Sequence, residues 1–213
     1  MKPKLLCILG ETASGKDSVV TGAIQKLYDY KIRPVCSYTD RPMRSYETNG
    51  VEHYFVSTDE FTELYRSRKD DILAYTHIKN SDLSHPGYHY MAFMDELQHA
   101  QLYIIDYLGL QTLQKFHGDE VDIVTVYIYS PLDERMDRAR KTRSDFDTEF
   151  ENRVKSEYEQ FRQFRINRLY DYKINNTNGR LENSINRLAL IIRHELIRAD
   201  VPNSPYKNAI KNK

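Results

Sequence analysis

Cysteine is scarce in this sequence: Cys7 and Cys36 are the two among 213 residues. No disulfide framework is implied, and a reducing cytosol is the compartment that fits. An excess of charge of one sign is lacking as well, since 31 basic side chains balance 31 acidic ones and the formal net charge is zero. No global basic field is on offer to nucleic acid, which is not expected as a partner. The apolar run Leu5-Leu6-Cys7-Ile8-Leu9 is far too short for a secretory core or a membrane span, so no membrane association is expected. Internal repeats and low-complexity tracts are missing too. What is present suits a soluble globular protein: 40% hydrophobic and 29% charged residues, in a length that fits one domain or a compact core with insertions.

The run KLLCILG, ended by a glycine, predicts a buried central strand of a parallel sheet. KDSVVTGAIQKLYDY follows with helical spacing, placing Val19, Val20, Ala23, Ile24 and Leu27 on one side. Further along, DELQHAQLYIIDYLG reads as a helix and then a strand at Leu102–Ile105, and VDIVTVYIYS as another strand. PLDERMDRARKTR reads as an arginine-rich helix, the charged stretch from about Asp147 to Tyr170 as a long helix, YDYKINN as a last short strand and LENSINRLALIIRHEL as an amphipathic final helix. Strands alternating with helices argue for an α/β fold, a parallel sheet with helices on both faces. The segment from about Cys36 to Ala92 breaks this rhythm. It carries short strand-like pieces such as HYFVS and reads as an insertion over the carboxyl edge of the sheet, where ligands bind in such folds.

Residues 10–18 read GETASGKDS. A glycine, four residues, then Gly15-Lys16 between a strand and a helix is the pattern of a phosphate-binding loop, in which backbone N–H groups at a helix N-terminus converge on an anion. Gly10 and Gly15 allow the backbone geometry, Lys16 supplies a cation for the β- and γ-phosphates of ATP, and Thr12 and Ser14 offer hydroxyl donors. A hydroxyl residue normally follows the lysine to hold Mg²⁺; here Asp17 stands there, with Ser18 one place later. A carboxylate can itself ligate Mg²⁺, so Asp17 and Ser18 are the expected metal residues. The expected ATP site is Gly10, Glu11, Thr12, Ala13, Ser14, Gly15, Lys16, Asp17 and Ser18.

A second cluster, SYTDRPMRSYETNGVEHYFVSTDEF, places Arg41 and Arg44 three apart on a proline-containing turn. Paired guanidinium forks suit a dianionic phosphate, and Ser37 with a tyrosine hydroxyl can complete the cradle.

At this point the sequence resembles guanylate kinases and their relatives in the nucleoside monophosphate kinase group. The resemblance rests on Ser37-x-Thr39-x-Arg41-x-x-Arg44, then Glu47, Asn49-Gly50, Phe55 and Ser57-x-Asp59-Glu60-Phe61, together with Gly10–Lys16, and it extends to about Leu196. It implies the three-layer fold of P-loop NTPases, one domain over 1–200 with core segments 1–35, 93–134 and 161–200, an acceptor-binding insertion over 36–92, a helical lid over 135–160 and a flexible tail over 201–213. It also implies that Ser37, Arg41, Arg44 and Tyr90 hold the acceptor monophosphate, with His53 or its neighbour Tyr54 standing in for a displaced tyrosine. Arg138, joined by Arg143 or Arg135, and Arg153 are the implied lid arginines, and Asn176 sits near the nucleotide. The implied catalytic set is Lys16, Arg41, Arg138 and Arg153.

The base-reading positions depart from the family pattern. Ala74 falls where guanylate kinases carry a glutamate, Ala92 where they carry a hydroxyl residue, and Ile104 where they carry the first of two aspartates; Asp106 matches the second. Asp70 and Asp71 lie near Ala74, and His77 reads as a solvated loop histidine. A pocket short of two of its three base-reading groups would discriminate guanine poorly. The SGKDS loop is similar to that of ribose 1,5-bisphosphate phosphokinases, whereas the cradle arginines are closer to guanylate kinase.

The expected function is ATP- and Mg²⁺-dependent phosphoryl transfer to a phosphorylated acceptor, GMP or another nucleoside monophosphate, by a cytoplasmic monomer or homodimer. Two alternatives stay open: a ribose 1,5-bisphosphate-type sugar phosphokinase, and a guanylate kinase-like binding module without chemistry. Gly10, Gly15 and Lys16 are intact and the length leaves little room for accompanying interaction domains, both against the last. An enzyme of this kind needs its two anion pockets, one at the loop and one under the insertion, to face each other across a single migrating phosphoryl group.

Overall fold

The computed structural model describes residues 2–79, 87–142 and 148–197, with the side chains of 142, 148, 149 and 151–153 left out. Arg143 and the expected tail over 201–213 lie outside the described residues.

The first strand, β1 (Lys4–Leu9), is fully buried from Leu5 to Leu9, which is why an unbroken apolar run, not an alternating one, forms it. Helix α1 (Lys16–Lys26) follows. Short strands β2 (Ser37–Thr39) and β3 (His53–Phe55) precede α2 (Thr58–Ser67), and then come the longer β4 (Ile72–Ile78) and β5 (Tyr88–Phe93). The remaining elements are β6 (Leu102–Ile104), α3 (Tyr107–His117), β7 (Asp122–Tyr129), α4 (Leu132–Thr142), α5 (Thr148–Ile166), β8 (Tyr172–Asn175) and α6 (Leu181–Ile192). One sheet has the order β6-β1-β7-β8 and the other β3-β2-β5-β4. Strands β7 and β8 run parallel, Val126 opposite Tyr172 and Tyr129 opposite Asn175.

The chain divides into two compact units, Met1–Leu5 with Pro34–Ile123 and Leu6–Arg33 with Val124–Lys213, the cuts falling inside β1 and β7. In the second unit α1 packs on α6. Val19, Val20, Ala23 and Leu27 are buried from one side, Ile185, Leu188, Ile191 and Ile192 from the other. Gly22 permits the close approach: a Cβ there would stand 2.5 Å from Ile185 Cδ1. Helix α5 is shorter than the charged stretch that suggested it; it ends at Ile166, and Arg168 adopts φ 48°.

In the first unit β4 and β5 pair antiparallel, as do β2 and β5, while β2 and β3 pair parallel. Pairing sets the two faces of this sheet. Tyr38, Met91, Phe93, Tyr75 and Ile72 pack with Phe61 of α2 into a small apolar cluster. A capping box starts α2, with the Ser57 side chain accepting from the Glu60 N–H and Glu60 accepting from the Ser57 N–H. The helix expected at DELQ is a 3₁₀ turn, Met94–Gln98, because its acids serve tertiary contacts: Glu96 accepts from the Cys36 N–H at 3.2 Å and Asp95 pairs with Arg68 at 2.8 Å. His77 is no loop residue; it lies in β4 opposite His89.

Candidate active site

The loop expected to bind phosphate joins β1 to α1. Ala13 and Gly15 both take positive φ, 60° and 82°, and α1 begins at Lys16 with no side chain capping its N–H groups. Those open N–H groups and the positive end of the helix dipole are the physical basis for anion binding there. The loop carbonyls are turned outward and held. Ser14 O accepts from Asn176 Nδ2 at 2.8 Å, from Ser130 Oγ at 3.2 Å and from Arg138 Nη1 at 3.2 Å. Thr12 O accepts from Arg135 Nη1 at 3.1 Å. The Thr12 N–H donates to Glu157 Oε2 of α5 at 2.6 Å.

The expected ATP residues differ in their surroundings. Glu11 is buried, and its carboxylate turns inward to Arg165 and to the Tyr127 hydroxyl at 2.8 Å; it is a structural anchor of the loop. Thr12 and Ser14 are buried, with hydroxyls that find no partner. Asp17 and Ser18 are exposed on the first turn of α1. Asn176 is buried and shapes the loop through Ser14, its own Oδ1 remaining unpartnered. Arg138 donates to Ser14 O, to Ser130 Oγ at 2.9 Å and to Asn176 O at 2.7 Å, and so buttresses the loop. Arg153 belongs to α5, its side chain outside the described residues. A cavity of about 230 Å³ opens beside the loop, lined by Gly15, Ser18, Arg138, Asn178, Gly179 and Leu181 among others. Asn178, Gly179 and Leu181 carry no signal in the sequence that marks them as site residues.

The residues expected to cradle the acceptor lie on one face of the β3-β2-β5-β4 sheet. Residues two apart in a strand share a face, and paired residues face the same way. Ser37 is opposite His53, and Thr39 is opposite both Phe55 and Tyr90. The Ser37 hydroxyl and His53 Nδ1 are 2.8 Å apart, and the His53 and Tyr90 rings meet edge to face with centroids 5.5 Å apart. Arg41, 8% exposed, lies over the Phe55 ring. Glu47 receives both arms of its guanidinium, at 2.7 and 2.6 Å, and also accepts from the Arg44 N–H at 2.8 Å. Burial pulls the Arg41 pKa down, but hydrogen bonding to Glu47 and the neighbouring Tyr90 more than offset it. Burial likewise raises the Glu47 pKa, and Arg41 with the Arg44 N–H brings it below the usual carboxylate range. Arg44 is half-buried, its Nη1 3.9 Å from Glu47. Tyr54 turns to the opposite face, its ring 4.8 Å from that of Tyr38, so of the two candidates for the displaced tyrosine His53 alone joins this cluster.

The same face continues through Thr76 and the buried Ala74 and Ala92. Asp106 caps α3, accepting from the Gly109 N–H at 2.9 Å and from the Thr76 hydroxyl at 3.1 Å. Ile104, at the end of β6, brings no donor atom. Neither thiol is a nucleophile: burial raises the Cys7 pKa, and burial followed by Glu96 and Glu52 pushes Cys36 up to about 12.

A sequence model of the guanylate kinase family matches residues 2–195. The chain belongs to the guanylate kinase family. It thereby joins the nucleoside monophosphate kinases, which are phosphotransferases. It is similar to the guanylate kinase of Mesoplasma florum, 23% identical over 211 residues that span 99% of this chain and 67% of that protein. It is also similar to the guanylate kinase of Malacoplasma penetrans, 23% identical over 197 residues, with 92% of this chain and 95% of that one covered. Among solved structures, the guanylate kinase from Anaplasma phagocytophilum superposes with a TM-score of 0.60 at 19% identity over 93% of this chain and 88% of that one, a likeness of fold. Within this guanylate kinase family member, the α/β architecture with a parallel sheet is the one expected from the strand–helix alternation.

Proposed function

We propose that the protein transfers the γ-phosphoryl group of ATP to GMP or a related nucleoside monophosphate. The observation that carries this is the single sheet face on which Arg41, Ser37, His53 and Tyr90 converge, in a chain whose loop at Gly10–Lys16 has its Ser14 and Thr12 carbonyls held by side chains and leads into a helix whose first N–H groups carry no side-chain cap. Arg41 and Arg44 fix the acceptor phosphate, and Ser37, His53 and Tyr90 donate to it. Lys16 and the helix N-terminus take the β- and γ-phosphates, and the cavity beside Gly15 takes the adenine. Phosphoryl transfer asks little covalent help of a protein; it needs positioning, exclusion of water and neutralised charge. The exposed oxygens of Asp17 and Ser18 suit a hard cation, and they would hold Mg²⁺. Bound there, the metal supplies charge neutralisation at the phosphates.

A second reading concerns the acceptor. Ala74 and Ala92, 1% and 0% exposed, give the far end of the cradle a small apolar floor, and neither side chain can accept from the donor edge of guanine. That favours an acceptor recognised by its phosphate and its shape, ribose 1,5-bisphosphate among them. ADP release with ATP and Mg²⁺, measured against GMP, other nucleoside monophosphates and ribose 1,5-bisphosphate, decides between them. GMP-dependent ADP release abolished in Lys16→Ala is the expected result. No ADP from any acceptor, with Lys16→Ala binding ATP like the wild type, would overturn the assignment.

A further inference from the structure

Behind the acceptor cradle, on the other face of the same sheet, a buried acid joins two strands. Asp40 follows β2 and immediately precedes Arg41; its side chain is 3% exposed. His89 lies in β5 and immediately precedes Tyr90. One Asp40 oxygen accepts from the His89 N–H at 2.7 Å, and the other lies 2.7 Å from His89 Nδ1. A carboxylate oxygen only accepts, so the ring nitrogen donates. Both bonds tie the end of β2 to the start of β5, one residue from each of two cradle residues, and next to the pair Thr39–Tyr90.

The ring of His89 is itself held. His77, directly across from it on β4, stacks on it with centroids 4.3 Å apart and an interplanar angle of 21°. Tyr75 lies 6.2 Å away, nearly parallel, and Phe61 of α2 sits 5.5 Å away. Alternation along β5 sends the His89 and Tyr90 side chains to opposite faces, so His89 touches no ligand in the cradle. Its position nevertheless fixes where the Tyr90 backbone starts, as Asp40 fixes where that of Arg41 starts.

We propose that Asp40 and His89 are positioning residues for the acceptor, a two-bond staple that sets the separation of Arg41 and Tyr90 across the phosphate they share. The inference rests on the reading of that face as the acceptor cradle. Among the described residues neither oxygen of the buried Asp40 caps a helix, and both are used on one residue 49 positions away. Small displacements of groups that hold a reactant are costly out of proportion to their size.

Steady-state kinetics with ATP and GMP, together with melting temperature, test it. His89→Phe keeps the ring contacts to His77, Tyr75 and Phe61 and removes the side-chain bond; Asp40→Ala removes both bonds; Asp40→Asn keeps the shape and the backbone bond. The expected result is a rise in KM for GMP of about tenfold in His89→Phe and Asp40→Ala, with the KM for ATP unchanged and kcat within about threefold, and partial rescue in Asp40→Asn. A lowered melting temperature with KM for GMP unchanged would reduce the pair to fold support and overturn the inference. Should Asp40→Ala fail to fold, His89→Phe and Asp40→Asn carry the test. Arg41→Ala is the control: if it raises KM for GMP and the staple variants do not, the inference alone fails, and if it too leaves KM for GMP untouched, the cradle reading fails and takes the inference with it.

Discussion

Glu47 grips both arms of Arg41, at 2.7 and 2.6 Å, within a pocket that leaves their side chains 5% and 9% exposed. The arginine expected to hold the acceptor phosphate is thus already paired and oriented by the protein. Removing the acid leaves a buried guanidinium without its partner, which costs far more than an exposed pair would. Glu47→Ala is expected to lose roughly 3–5 kcal/mol of stability and to raise the KM for the acceptor. Urea unfolding and initial-rate kinetics check both.

The same pair sets a pH dependence. The folded-state pKa of Glu47 is depressed, chiefly by Arg41 acting against the opposing effect of burial. A depressed carboxyl contributes stability that is fully present above its unfolded pKa, about 4.3, and is lost as pH falls through the folded value. The stability gap between wild type and Glu47→Gln is therefore expected to be largest above about pH 5 and to close on acidification. A gap independent of pH from 7 down to about 3 would contradict the ion-pair account.

Gly15 carries two constraints at once. Its φ of 82° is left-handed, and a Cβ there would stand 2.6 Å from Asn176 Nδ2, the group that fixes the Ser14 carbonyl. Gly15→Ala is expected to strain the loop by about 1–2 kcal/mol and to displace Asn176, weakening ATP binding by about tenfold or more. Asn176→Ala, which releases Ser14 without straining Gly15, is expected to weaken it less. Titration calorimetry with ATP ranks the two.

His53 and Tyr54 are adjacent in sequence and opposite in facing. His53→Ala is expected to cost about 1.5–3 kcal/mol of acceptor binding, the worth of a hydrogen bond to a charged group. Tyr54→Phe is expected to leave the KM for the acceptor unchanged. Equal effects of the two substitutions would show that the face assignment is wrong.

What the sequence disclosed was local. The run at Leu5–Leu9, the helical spacing of Val19, Val20, Ala23 and Leu27, and the Gly10–Lys16 spacing each lie within a few turns of chain, and strand, loop and helix stand where these patterns place them. Glu11 read as an ATP residue because it lies inside the loop; what turns it inward is Arg165, 154 positions later. Strand alternation alone says that His53 and Tyr54 face opposite ways. Which of them faces Ser37 depends on the register of β2 against β3. His77 read as a loop residue because its partner, His89, lies in a strand whose Tyr-His alternation has no apolar period to reveal it.

Ser14 and Thr12 surrender their carbonyls to Asn176, Ser130, Arg138 and Arg135, all groups of the chain itself. A loop already shaped in this way has little disorder left to lose when a triphosphate arrives. ATP capture should then be limited by encounter and proceed in one kinetic phase, with hydrogen exchange in residues 10–16 nearly as slow before the nucleotide docks as after.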